Sequence, residues 1–227
     1  MKIYCRSMRQ VCYLLLCVIL SCQLPLLFTS CTQDAYEKGD GKTSAMVAEM
    51  GIGFTASDKR VTSFVTDDGI LFSVSNPFFS SLMPKADTTY RAVFYYIKDG
   101  ENAEVKGLNQ VVVVSPRQMK DIKTDPVRFE SAWVGKSKQY LNLSLYLMQG
   151  YTDDEAVHKV SLRRDSLYQN NDGTRTLHLT LYHDQAGVPE YYSQRVYVSA
   201  PLQSYDVDSI WLDVNTYNGW VEKRIKL

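Results

Sequence analysis

The chain is nearly without cysteine where a folded body would use it. All five, Cys5, Cys12, Cys17, Cys22 and Cys31, fall within the first 31 of 227 residues. Beyond Cys31 the sequence offers neither a disulfide nor a thiolate metal site, so whatever folds there is held by its own core. No long segment repeats apolar residues at helical spacing, and no apolar run reaches the ~20 residues of an ordinary membrane-spanning helix. No run of lysine and arginine is long enough to follow a phosphate backbone, which argues against nucleic acid as a partner. Gly-x-Ser-x-Gly, His-Glu-x-x-His and phosphate-binding glycine loops are missing. With 25 acidic residues, chance carboxylate pairs carry no weight. The expectation is a protein with no catalytic residues, no metal and no cofactor.

Disorder is excluded as well, because 45% of the residues are hydrophobic and 12% aromatic. Formal net charge is zero. Three of the bases, Lys2, Arg6 and Arg9, precede the first acid, Asp34, so the remainder is net acidic by three charges.

Those bases open a leader. Tyr13 to Leu20 is an apolar stretch, broken at Ser21-Cys22-Gln23 and resumed at Leu24-Pro-Leu-Leu-Phe28, after which Thr29-Ser30-Cys31 meets a polar, acidic tail. This is the layout of a bacterial lipoprotein junction, with cleavage before Cys31 and diacylglycerol on its thiol. Cys22, preceded by Ile19-Leu20-Ser21, competes, but cutting there strands Leu24–Phe28 on the mature protein. Residues 1–30 therefore read as a lipoprotein signal peptide. Residues 31–42 read as a flexible tether around Gly39-Asp-Gly41. Two or three acyl chains make firm anchoring by the arithmetic of buried methylenes.

After the tether, short β-branched and aromatic runs alternate with turn signals, which is the pattern of an all-β protein. Residues 43–115 hold five candidate strands. The first carries Gly51 and Gly53, which predict a bend or bulge. Asp67-Asp-Gly69 predicts a hairpin turn, and Asn76–Thr89 reads as a connection. Five such strands are compatible with a small OB-like barrel or with a small open sheet. Residues 116–126, bracketed by prolines, read as a linker. Residues 127–227 hold seven candidate strands. Tyr140–Leu147 places leucines at 141, 143, 145 and 147 on one face, and Thr176–Tyr182 repeats the design. Asn218-Gly219 is a type I′ hairpin signal. Seven alternating strands in about a hundred residues predict an immunoglobulin-like β-sandwich without its disulfide.

The three histidines, His158, His178 and His183, read as ordinary surface residues. Five residues apart on one strand, His178 and His183 point to opposite faces and cannot share a metal. The oxygen-rich stretches Asp153-Asp-Glu155 and Asn170-Asn-Asp172 lack the spacing of a calcium loop. Sixteen tyrosines, several on predicted strands, are compatible with an exposed platform for a glycan or protein, or with packing at sheet edges and between domains.

Thr66-Asp-Asp-Gly-Ile-Leu-Phe-Ser73, Asp125-Pro-Val-Arg128, Ala132-Trp-Val-Gly135 and Tyr140-Leu-Asn-Leu143 together resemble the NigD-like lipoproteins. Those are exported, lipid-anchored proteins of bacteria that have an outer membrane. The resemblance implies an N-terminal OB-like barrel and a C-terminal β-sandwich, and it brings no catalytic residues. The family often has an acidic cluster directly after the cysteine, where this chain has only Asp34 and Glu37. A lipid anchor in the outer membrane, with a binding role toward an envelope protein or a glycan, is the expectation that follows.

Overall fold

The computed structural model describes residues 45–151 and 156–227. Cys22, Cys31, the leader, the tether and Asp153-Asp-Glu155 lie outside them. Residues 45–227 form one compact unit. All twelve elements among the described residues are strands: β1 (Met46–Thr55), β2 (Val61–Thr66), β3 (Leu71–Phe78), β4 (Thr89–Asp99), β5 (Asn102–Val113), β6 (Arg128–Val134), β7 (Tyr140–Gln149), β8 (Lys159–Gln169), β9 (Arg175–Asp184), β10 (Tyr192–Pro201), β11 (Ser209–Thr216) and β12 (Gly219–Lys226).

The first five strands pair in the order β3-β2-β1-β4-β5, and a parallel pairing of β3 with β5 at Ser73–Asn102 and Val74–Ala103 closes them into a barrel. Closure removes the sheet edges and selects the OB-like barrel over the open sheet. The barrel is filled by aromatics. Phe64 stacks on Phe94 with centroids 4.3 Å apart, and Phe72 and Tyr96 pack around them. Gly53 lies opposite this cluster, where a Cβ would stand 2.8 Å from the Phe94 ring. Close approach, not a bend, is therefore what that glycine provides. The register shift in β1 falls later, between Phe54 and Thr55. β3 also runs to Phe78, across Pro77, into the stretch expected as a connection. The Asn76 side chain stands in for backbone there, giving Nδ2 to the Val105 carbonyl and accepting the Val105 N–H, each at 3.0 Å.

β5 then leaves the barrel, and its last residues, Val111–Val113, pair in parallel with β10. The same sheet continues β5-β10-β7-β6 and faces a second sheet ordered β12-β11-β9-β8. The leucines expected to point inward do so. Leu141, Leu143, Leu145 and Leu147 meet Leu177, Leu179 and Leu181 in a core that Leu162, Ile210, Leu212 and Val214 complete. Each contributes about 1.5–3 kcal/mol by leaving water.

Residues 116–126, expected as a linker, bond along the second sheet. Arg117 N–H reaches the Leu162 carbonyl at 3.2 Å, and His183 N–H reaches the Lys123 carbonyl at 2.9 Å. The segment is thus a strap laid on β8 and β9. Polar spacing alone does not reveal such pairing, because a single strap strand has no alternating pattern of its own.

Candidate functional site

Three of the segments that carry the family resemblance meet in space. The β2–β3 turn at Asp67-Asp-Gly69 docks on the β6–β7 turn at Gly135-Lys-Ser137. Ser137 N–H donates to the Asp67 carbonyl at 2.9 Å, and Lys136 N–H donates to Asp68 Oδ1 at 3.2 Å. Gly135 is required by space, because a Cβ there would lie 2.5 Å from Asp67 Cβ and 2.6 Å from its carbonyl oxygen. The Lys136 side chain and N–H hold the Asp68 carboxyl below its usual range.

Beneath this contact lies a buried charged lock. Arg91 on β4 forms a two-point ion pair with Asp67. The two side chains are 4% and 12% exposed, so most of this charge is out of water. Arg91 also donates to Asn142 Oδ1 at 2.9 Å and to Ser199 Oγ at 3.1 Å, and its guanidinium lies 4.1 Å from the centre of the Tyr140 ring. Asn142 Nδ2 donates to Asp67 Oδ2 at 2.6 Å, and Ser199 Oγ to Asn142 Oδ1 at 2.7 Å. Every charged atom of the pair thus has a partner, which a buried ion pair needs if it is to hold.

Above the lock a cleft of ≈310 Å³ opens between barrel and sandwich, lined by Glu49, Met50, Asp67, Asp68, Trp133 and Gly135 among others. Clefts between folded halves are a common place for ligands. The acids in this one are mostly engaged. Asp67 is held by Arg91, Asp68 by Lys136, and Glu49 accepts the Tyr96 hydroxyl at 2.6 Å.

The outer faces of the sheets carry the tyrosines. Tyr146 lies between Arg128 and Arg195, and Arg195 pairs with Glu130 at 2.6 Å. Tyr95 accepts from Asn109 Nδ2 at 3.0 Å, and burial holds its hydroxyl above its usual range. On the opposite sheet His178 stacks on Trp211 of β11 with centroids 4.4 Å apart, and Arg224 of β12 lies 4.0 Å from the centre of the indole. Trp211 is therefore stacked against the chain's own side chains and gives no open platform for a sugar ring. Among the described residues the most exposed large aromatics are Tyr151 (81%) and Tyr191 (76%), followed by Phe79, Trp220 and Tyr192.

Ser166, His178 and Asp213 share that outer face, which invites comparison with a catalytic triad. His178 Nε2 does meet Asp213 Oδ2 at 2.8 Å, and its other nitrogen faces Tyr168 at 3.3 Å. Ser166 Oγ is buried with no hydrogen-bond partner among the described residues, so the contact of nucleophile with base is absent.

His183 departs from its expected place. It is 2% exposed rather than on the surface, and it meets His158, the residue before β8, Nε2 to Nδ1, at 2.9 Å. The reading of His178 and His183 on opposite faces of β9 fits, but the partner of His183 lies 25 residues away and no spacing rule reaches it. Asp172 turns onto Thr174 in an ordinary side-chain-capped turn. Among the described residues no group of three or more His, Cys, Asp or Glu side chains is placed to hold a metal ion.

A family model described as the NigD-like C-terminal beta sandwich domain matches residues 110–226. Its start lies inside β5, the strand common to barrel and sandwich. Several solved structures have the same fold. A NigD-like immunity protein from Bacteroides caccae is 23% identical over 78% of this chain and 91% of its own, with a TM-score of 0.59. A candidate toxin-related protein from Parabacteroides distasonis is 17% identical over 80% and 93%, with a TM-score of 0.60. A candidate lipoprotein from Bacteroides fragilis is 12% identical over 80% and 97%, with a TM-score of 0.55. No curated protein sequence matches the chain.

Proposed function

The chain belongs to the NigD-like family, and from that premise we propose that it is an exported lipoprotein of the cell envelope that acts by binding rather than by catalysis. Its anchor is the acylated thiol of Cys31 in the outer membrane, with residues 31–42 as the tether. Its partner is an envelope protein that enters the cleft between barrel and sandwich. The observation that carries the binding reading is the use made of the polar groups at the cleft. Arg91, Asp67, Asn142 and Ser199 fasten the two halves together, and Asp68 and Glu49 are already bonded. Groups committed in this way position a surface but do not move protons. The similar Bacteroides caccae protein is a NigD-like immunity protein, a name that agrees with binding rather than catalysis.

Two experiments test the proposal. Palmitate labelling should be lost in Cys31→Ser and kept in Cys22→Ser, and equal label in wild type and Cys31→Ser overturns the anchor. A photo-crosslinking residue at position 49, in the cleft, should capture a protein in whole cells, while one at position 223 on β12 should not. Equal capture at both positions overturns the cleft as the binding surface.

A second reading, a glycan-binding accessory role, draws on the exposed Tyr151 and Tyr191 at one end of the sandwich. It requires glycan-array binding that Tyr191→Ala abolishes.

A further inference from the structure

The His158–His183 contact has a proton count that fixes its chemistry. His183 Nδ1 lies 2.9 Å from the Asp125 carbonyl oxygen, and His158 Nε2 lies 2.8 Å from the Met148 carbonyl oxygen. A carbonyl oxygen only accepts, so each of these two nitrogens must carry hydrogen. A neutral imidazole has one N–H. If both rings were neutral, their remaining nitrogens, His158 Nδ1 and His183 Nε2, would face each other at 2.9 Å as two bare lone pairs. That separation is a hydrogen-bond distance, and it needs a hydrogen between the nitrogens.

We propose that His158 and His183 share one extra proton, an imidazole–imidazolium pair, and that this proton latches the two sheets and the strap together at one end of the sandwich. Met148 belongs to β7 in one sheet, His183 to β9 in the other, and Asp125 to the strap, so the chain of three contacts crosses all three. His158 also lines a ≈290 Å³ gap between the sheets, walled by Val112, Leu147, Val160 and Val196, so the latch stands at its rim.

The surrounding charges fit a single proton. Among the described residues the strap presents Asp125 and Lys123, β9 presents Asp184, and β8 presents Lys159. β7 contributes the uncharged Met148 and Gln149. Asp125 caps the Gln185 N–H at 2.7 Å, and Asp184 pairs with Lys123 Nζ at 3.0 Å. The two carboxylates and two lysines cancel in formal charge, so nothing offsets the repulsion between two imidazolium rings whose nitrogens face each other at 2.9 Å. Burial and the neighbouring His158 both hold the His183 pKa below its ordinary value, so the shared proton sits on His158 Nδ1 and His183 Nε2 accepts it. Loss of the first proton leaves facing lone pairs, so one ring must turn and the latch opens.

Histidine ¹⁵N spectroscopy on the full chain reads this directly, because there are only three histidines and His178, bonded to Asp213, serves as an internal reference. The expected result is that His183 Nδ1 and His158 Nε2 stay protonated while the two facing nitrogens titrate together. They should do so in two steps more than ~1 pH unit apart. In His158→Gln the paired signature should vanish and His183 should titrate in one step. Amide exchange at Asp125 and His183 should rise on the alkaline side of the first step. The proposal is overturned if wild type shows two neutral rings at pH 6 to 7, or an Nε2–H tautomer at His183, or if the His158→Gln curve for His183 matches wild type. The wild-type titration alone decides the point if the variant does not fold.

Discussion

Replacing Arg91 by methionine tests whether the buried lock holds the two halves as one body. Methionine keeps an unbranched apolar stem and removes the guanidinium, and with it the contact on the Tyr140 ring. The Asp67 carboxylate, 12% exposed, is then left with Asn142 Nδ2 as its side-chain donor. Stripping one partner from a buried pair costs about 3–5 kcal/mol. A domain of this size has roughly 5–15 kcal/mol in hand, so the loss is a large share of the total. It corresponds to a Tm lower by roughly 6–20 °C at about 2–4 °C per kcal/mol. Arg91→Met combined with Asp67→Asn removes both charges and should be less destabilised than Arg91→Met alone. Urea unfolding, followed by tryptophan fluorescence and circular dichroism together, measures both. Wild type should unfold in one transition by both probes, and Arg91→Met should shift the midpoint. An Arg91→Met protein within ~1 kcal/mol of wild type, or a double variant whose loss equals the sum of the single losses, refutes the lock.

Gly135→Ala should destabilise by about 1–3 kcal/mol, because its methyl must displace the Asp67 backbone; alanine at Gly107, where a Cβ would meet nothing closer than the Tyr95 ring at 4.0 Å, should not show that clash and serves as the comparison in thermal melts. Leu145→Ala, at a fully buried position of the sandwich core, should cost about 2–5 kcal/mol in the same urea assay. Acid should weaken the fold through His183. The latch proton stays on His158 and the folded pKa of His183 itself is depressed, so the contribution of His183 to stability is present above the ordinary histidine value of about 6.5 and is lost as pH falls, because the unfolded chain then binds at His183 a proton that the folded pair, already holding one, refuses. Unfolding midpoints between pH 7 and 5 should fall by at most about 1.4 kcal/mol per pH unit from this group, and a His183→Gln variant should lose that part of the slope.

Local alternation made most of the fold legible from the sequence, and long-range pairing set the limit. The leucines of β7 and β9 declare their inward face because a strand repeats every two residues, and the structure keeps them there. Asp67-Asp-Gly69 declares a turn because Gly69 takes a positive φ of 84°. The same principle fails at Asn76-Pro77, where proline reads as a break although the Asn76 amide replaces the missing backbone bonds. It fails at Gly135 too, whose role is set by a carbonyl from a turn 68 residues earlier in the chain.

The candidate sites are the extreme case of that limit. The lock draws on positions 67, 91, 142 and 199, and the histidine latch on 125, 148, 158 and 183, none of which forms a sequence motif. The resemblance segments hold two of the lock's four positions, 67 and 142, because a family keeps short runs on both sides of a contact, although each run shows only a turn or a strand. The latch had no such guide. Its two histidines become a pair only when the strap folds across β8 and β9 and offers a carbonyl that forces one ring's proton to the far side. What a chemist would look for in the sequence, an acid beside a histidine, is not what makes this site. Two carbonyl oxygens make it, and every residue in the chain has one of those.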